Sequence, residues 1–378
     1  MKIPFNKITF DKKELKNIEN CIKKGHISGD GFYTDLCSRW FLKNFKRQTL
    51  LTHSCTGAIE MSAILAQLNP GDEVIMPSYS FVSTANAFVL AGAKPVFVDI
   101  RNDTLNIDEN LIEQAVTKNT KAIAAVHYAG VGCEMDKIIQ IAKKHNLYIF
   151  EDAALGFYAK YKNQFLGTIG DLGMYSFHET KSIISGEGGA LCVNNKKFFE
   201  RAEIIREKGT NRSKFFRGQT DKYTWVDVGS SYLPSDMIAA FLHSQLEHVK
   251  EITKKRISVC KKYNDFFAKY EQKGILRRPF IPKYCQNNGS LYYILFNDLK
   301  TRTKFMDHMK KNSIAAPFHY IPLHSSPGGL KYAKTPYSMK ITDKISDTIV
   351  RLPLFYSITK KQTDHILKIT EKFLNKEM

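Results

Sequence analysis

The chain is predicted to be an α/β protein, with a mostly parallel sheet flanked by helices in a large domain and a smaller C-terminal α+β domain after it. Three observations predict this. Short β-branched or apolar runs alternate with amphipathic segments through the first two-thirds of the chain. Small, hydroxylic or charged residues directly follow several of those runs. After Ser235 the alternation gives way to a long helical stretch and then to shorter elements.

In chain order, strands are expected at 73–76, 95–99, 122–127, 148–151, 174–177 and 190–193. Helices are expected between them at 56–68, 83–91, 108–116 and 135–145. Asn69-Pro70-Gly71-Asp72 has turn chemistry, because proline presets φ and glycine accepts positive φ. One long helix is expected to run through Ala239, Leu242 and Leu246 and on past Tyr263. A strand at 291–296, a helix at 303–311, a strand at 315–319 and a closing helix at 360–373 complete the reading. The domains are accordingly placed at 1–250 and 251–378.

With 378 residues, 43% of them hydrophobic, the chain can bury a large core. The start carries no apolar leader, and no stretch approaches the roughly 18 uninterrupted apolar residues that span a bilayer, so a cytoplasmic protein without membrane insertion is expected. Seven scattered cysteines without a CxxC pair or a Cys/His cluster suit free thiols in a reducing compartment and give no metal site. Lys and Arg number 56 against 37 Asp and Glu, a net charge of +19. That field suits an anionic partner, but no block of like charge, aromatic-basic pattern or zinc-finger spacing points to nucleic acid.

Ligands of open α/β sheets collect at the carboxyl ends of strands, so polar residues there are the first candidates. Ser54-Cys55-Thr56-Gly57-Ala58 precedes a helix, where free N–H groups and the helix dipole attract a phosphate; the same residues also make a plain cap. Glu151-Asp152 ends an apolar strand, and an acid there can face a protonated ring nitrogen or serve as an ordinary ion pair. Ser176-Phe177-His178-Glu179-Thr180-Lys181 follows a strand and precedes Gly186-Glu187-Gly188-Gly189. A lysine there can form an imine with an aldehyde, although in a lysine-rich chain spacing alone does not single out Lys181. No Gly-Lys-Ser/Thr follows the glycines, which sets a nucleotide-triphosphate loop aside. Phe81, after the 73–76 strand, can stack on a flat heterocycle or belong to the core.

These segments, in this order, resemble the DegT/DnrJ/EryC1/StrS family of sugar aminotransferases, a branch of the fold-type-I pyridoxal-phosphate enzymes. The likeness extends over nearly the whole chain. The longer runs SGDGFYT, MPSYSFVSTANAFVLAGAKPVFVD, VHYAGVGCEMD, SFHETK, FHYIPLH and RLPLFY are similar to the members that form dTDP-4-amino-4,6-dideoxygalactose. The resemblance implies that Lys181 carries pyridoxal 5'-phosphate, that Asp152 pairs with its ring nitrogen and that Phe81 stacks on its ring. It assigns Thr56, Gly57 and Ser176 to the phosphate, and Ser231 to the position from which relatives reach the neighbouring subunit's phosphate. A homodimer with shared sites follows from it. Arg217 and Lys222, with His319 and Tyr320, are its candidates for the nucleotide-sugar side. It implies L-glutamate as donor, dTDP-4-keto-6-deoxy-D-glucose as acceptor, and a place in cell-surface polysaccharide biosynthesis of the enterobacterial common antigen kind. Leu155 departs from the pattern, since relatives carry a glutamine there that reaches the cofactor's phenolic oxygen. Lysine rather than histidine at 181 favours transamination over sugar dehydration. Alternatives left open are amination at C3, a different nucleotide-keto-sugar, a cofactor-binding regulator on DNA and a catalytically silent scaffold.

Overall fold

The structure is a computed structural model and describes residues 1–376. In chain order its strands are β1 (Gln48–Thr52), β2 (Glu73–Pro77), β3 (Lys94–Val98), β4 (Thr120–Val126), β5 (Tyr148–Asp152), β6 (Lys160–Tyr161), β7 (Gln164–Phe165), β8 (Leu172–Ser176), β9 (Gly189–Val193), β10 (Leu276–Arg277), β11 (Cys285–Gln286), β12 (Tyr292–Phe296) and β13 (Ile349–Leu352). Seven of them form the large sheet in the order β1-β9-β8-β5-β4-β2-β3. The pairs from β8 through β3 are parallel, whereas β9 is antiparallel to both of its neighbours. A mostly parallel sheet flanked by helices is therefore what the chain forms. β2, β8 and β9 are buried along their whole length, as strands covered on both faces must be.

Two apolar clusters sandwich this sheet. One gathers Phe41, Phe45, Phe157, Tyr175 and Phe177, and the other gathers Met61, Phe88, Phe97, Phe150 and Met174. A third lies in the C-terminal part, where Tyr263, Phe267, Ile294, Phe305, Met309 and Ile366 pack around the antiparallel sheet β10-β12-β13. A third small sheet has the order β11-β6-β7. Among the described residues no helix is long and apolar enough to cross a membrane.

Several expectations are corrected. The single long helix after Ser235 is two helices, Asp236–Glu247 and Val249–Gln272, which meet at His248 (φ −94°, ψ 4°), whose ring Nδ1 bonds the Ser244 carbonyl. Residues 315–319 form no strand: Ala315 bonds back to Ile3, and Pro317 has no N–H to give a ladder. The helix expected at 56–68 is Cys55–Leu65, capped by the Ser54 hydroxyl accepting from the Gly57 N–H. β1, β13 and the helices Lys12–Lys23 and Phe32–Phe45 lie where no element was expected.

Candidate active site

Parallel pairing brings the carboxyl ends of β2, β4, β5 and β8 to one edge of the large sheet, and β9 begins there because it runs the other way. β1, antiparallel to β9, ends there too. The loops that leave these ends enclose a cavity of about 730 Å³. Thr56, Phe81, Asp152, Leu155, Ser176, Lys181, His319 and Tyr320 all line it.

Asp152 is the last residue of β5. Its Oδ2 accepts from the Thr84 hydroxyl at 2.6 Å and its Oδ1 from the Ala154 N–H at 3.0 Å, which fixes the carboxylate at the cavity wall. Side chains alternate along a strand, so Glu151 points the opposite way. There its carboxylate accepts from the Gly167, Ile169 and Gly170 N–H groups at 2.8, 2.6 and 2.6 Å, and from His127 Nε2 at 2.9 Å. Of the two adjacent acids, one is enclosed in protein and the other faces ligand space.

Lys181 sits in the tight connection between β8 and β9. Its N–H donates to the His178 carbonyl at 2.9 Å, while Glu179 N–H reaches back to the Gly186 carbonyl at 2.8 Å. Gly186 has φ +86°, a backbone that favours glycine. Burial holds the Lys181 amine below its ordinary pKa; Cys55 and Asp152 oppose that shift, and the positive charge of Arg351 adds to it. Burial also raises the Cys55 thiol well above its usual range. The neutral amine is thereby made more available than on a surface lysine.

At the other end, the Thr56 hydroxyl donates to Ser83 Oγ at 2.9 Å in the first turn of the helix Cys55–Leu65. Gly189 underlies that turn: a Cβ added to it would lie 2.3 Å from the Ser54 carbonyl carbon and 2.4 Å from the Cys55 nitrogen. Opposite, Phe81 is 57% exposed, and its ring centre lies 6.4 Å from that of Tyr320, which stacks on His319 at 3.7 Å. His319 Nδ1 pairs with the Tyr128 hydroxyl at 2.6 Å. Burial, with Arg351 and Lys181 nearby, pushes His319 well below its ordinary pKa, so the ring is neutral at pH 7. Leu155 packs beside the cluster of Tyr79, Tyr128 and Tyr293.

Other expected residues lie elsewhere within the single chain. Gly57 is behind the helix turn, where an added Cβ would meet the Tyr232 ring at 2.9 Å and His53 at 3.0 Å, and its N–H is taken by Ser54. Ser231 is exposed and bridges to Glu207. Arg217 forms an ion pair with Glu203 on a separate cavity, and Lys222 is exposed on the same segment. Sequence reasoning missed Thr84, His127 and Arg351, which line the main cavity. Thr84 and His127 fall within the runs MPSYSFVSTANAFVLAGAKPVFVD and VHYAGVGCEMD, but only the folded sheet edge brings them to Asp152 and Glu151.

The chain matches the DegT/DnrJ/EryC1/StrS aminotransferase family over residues 9–371. It is 36% identical over 332 residues to the uncharacterized protein MJ1066 of Methanocaldococcus jannaschii, a match that covers 85% of each chain. It is 28% identical over 377 residues to the GDP-perosamine synthase of Escherichia coli O157:H7, covering 98% of both. Among solved structures, the putative sugar aminotransferase Spr1654 from Streptococcus pneumoniae, in its PMP form, superposes with a TM-score of 0.92 at 23% identity, over 100% of each chain.

Proposed function

The chain belongs to the DegT/DnrJ/EryC1/StrS aminotransferase family, and from that premise we propose that it transfers an amino group from L-glutamate to C4 of dTDP-4-keto-6-deoxy-D-glucose, giving dTDP-4-amino-4,6-dideoxy-D-galactose. The observation that carries the reading is the convergence of Lys181 and Asp152 on one cavity. When bound, pyridoxal 5'-phosphate supplies an aldehyde and an electron-withdrawing ring.

The residues present fit that group. Lys181 offers a desolvated amine for its aldehyde and then moves a proton between nitrogen and substrate carbon. Asp152, oriented by Thr84 and the Ala154 N–H, would present its carboxylate to the ring nitrogen. Thr56 and Ser176, with the helix N-terminus cradled on Gly189, take the phosphate. Phe81 supplies a ring face. Leu155, which lines the cavity, would offer the cofactor's phenolic oxygen no side-chain hydrogen bond.

Two copies of the chain are proposed to complete the site. The segment that carries Arg217, Lys222 and Ser231 also exposes Phe216, Tyr223, Trp225, Val226 and Val228, which suits burial against a partner. The division near residue 250 into a large and a small domain belongs to the same reading. The likeness to GDP-perosamine synthase favours a second reading, in which the acceptor is a GDP-linked keto-sugar. The test is to supply purified protein with glutamate and each keto-sugar, to follow the cofactor's absorbance and to identify the product by NMR. A C4 amine on the dTDP sugar supports the first reading; turnover of only the GDP sugar, or an amine at C3, replaces it.

A further inference from the structure

Ser80 and Thr84 form a short chain of hydroxyls behind the acid of the cavity. Both follow β2, and Thr84 lies in the first turn of the helix Val82–Leu90. In that turn two neighbouring side chains part: Ser83 Oγ accepts from the Thr56 hydroxyl at 2.9 Å, whereas the Thr84 hydroxyl donates to Asp152 Oδ2 at 2.6 Å. Ser80 Oγ lies 3.1 Å from Thr84 Oγ1. Thr84 is 1% exposed, Ser80 2% and Asp152 5%, so bulk water has little access to any of the three. The direction of the chain follows from its protons. A carboxylate only accepts, and a hydroxyl has one proton to give. Thr84 gives its proton to Asp152, so Ser80 is the donor in the 3.1 Å contact. Asp152 Oδ1 meets a further donor, the Ala154 N–H at 3.0 Å. Protonating Asp152 at Oδ2 would turn both hydroxyls round and leave the Ser80 proton without a protein acceptor, because among the described residues Ser80 Oγ has no other hydrogen bond.

A hydrogen bond to an ion is stronger than one between neutral groups, and in a site shielded from water each bond of a chain polarises the next. The arrangement therefore favours the ionised acid over the neutral one. We propose that Ser80 and Thr84 are positioning residues that act through Asp152: they hold it as an ion at the cavity wall, so that the site selects a cofactor ring whose nitrogen carries a proton. This rests on the transaminase reading above and adds to it the groups that keep the acid charged. A side chain that only filled space beside Asp152 could be exchanged for valine, which has nearly the shape of threonine, without altering that selection.

The test compares two cofactors on the cofactor-free protein: pyridoxal 5'-phosphate, and its analogue in which C–H replaces the ring nitrogen and every other group is kept. The dissociation constant of each is read from protein fluorescence in wild type, Thr84→Val, Thr84→Ser and Ser80→Ala, with circular dichroism to check folding. Loss of a hydrogen bond to a charged group predicts that Thr84→Val binds pyridoxal 5'-phosphate about 10- to 100-fold more weakly, while its affinity for the analogue changes by no more than about 3-fold. Thr84→Ser recovers most of that loss. Ser80→Ala strips only the outer link and lowers the preference for pyridoxal 5'-phosphate over the analogue about 3-fold or more. An equal loss for both cofactors in Thr84→Val marks a merely structural role and overturns the proposal, and so does a preference that Thr84→Val leaves unchanged. Should Thr84→Val not fold, Ser80→Ala decides by the same comparison. A wild type that binds both cofactors equally removes the pairing of Asp152 with the ring nitrogen, and one that binds neither removes the cofactor reading; the proposal falls with either. A wild type that prefers pyridoxal 5'-phosphate, with variants that keep the whole preference, removes the hydroxyl chain alone.

Discussion

Replacing Glu151 by Gln leaves the shape of the side chain and removes its charge in a place that no solvent reaches. Glu151 and His127 are both 0% exposed. Oε1 accepts from the Ile169 and Gly170 N–H groups, and Oε2 accepts from the Gly167 N–H at 2.8 Å and His127 Nε2 at 2.9 Å. The Cys133 N–H donates to His127 Nδ1 at 3.2 Å, which leaves the imidazole proton on Nε2, facing the carboxylate. A glutamine oxygen can serve one of the two pairs of donors; its amide nitrogen must then face the other pair, donor against donor. Two buried N–H groups lose their acceptor, at about 1–3 kcal/mol each, so Glu151→Gln is expected to lose about 2–6 kcal/mol. That is a large part of the roughly 5–15 kcal/mol that holds a typical domain together. Urea unfolding of the cofactor-free protein, with the slope checked for constancy, measures it. A single-variant loss below about 1 kcal/mol would refute the reasoning, because the four donors would then have found other partners.

Three further predictions follow from the site. Since the folded pKa of Lys181 is depressed, the unfolded chain binds the extra proton between that value and about 10.5, and wild-type stability rises with pH through that window. Cofactor-free Lys181→Met should therefore melt above wild type at pH 7, with the gap closing toward pH 10.5; a wild type that melts higher at pH 7 contradicts this. Gly189→Ala drives a methyl into the Ser54 and Cys55 backbone and should cost about 1–3 kcal/mol while weakening cofactor affinity about 10-fold or more, as read by melting and by cofactor titration. Residues 251–378 hold 25 Lys and Arg against 10 Asp and Glu, so +15 of the net +19 lies in that part of the chain. If this field steers an anionic nucleotide sugar, raising ionic strength from about 50 to 500 mM lowers kcat/KM for that substrate about 3-fold or more, and a flat salt profile removes steering.

The parallel sheet was legible because β2, β4, β5, β8 and β9 are short apolar runs bounded by turn residues, each expected within a few residues of where it forms. β1 was not: Gln48-Thr49-Leu50-Leu51-Thr52 has little apolar contrast, and it becomes a strand by pairing with β9, where Gln48 opposes Val193, 145 residues later. The break at His248 was hidden because Leu246, Val249 and Ile252 keep helical spacing on both sides of it. Within the site, the resemblance named Asp152 and Lys181, but the residues that hold them in place needed coordinates. Thr84 reaches Asp152 across 68 positions, and Arg351 approaches Lys181 from the far end of the chain. Adjacent acids such as Glu151 and Asp152 look equivalent as letters; only the strand's alternation, together with which face meets the cavity, separates a buried anchor from a ligand-facing charge.

The account depends on Lys181 being the residue that holds the cofactor. The most direct measurement is to load the protein with pyridoxal 5'-phosphate, fix any covalent attachment by borohydride reduction, and locate it by peptide mass spectrometry in wild type and Lys181→Ala. The account predicts one cofactor per chain, on the peptide that contains Lys181, and none in the variant. Attachment at another lysine, or equal labelling of both proteins, would contradict it.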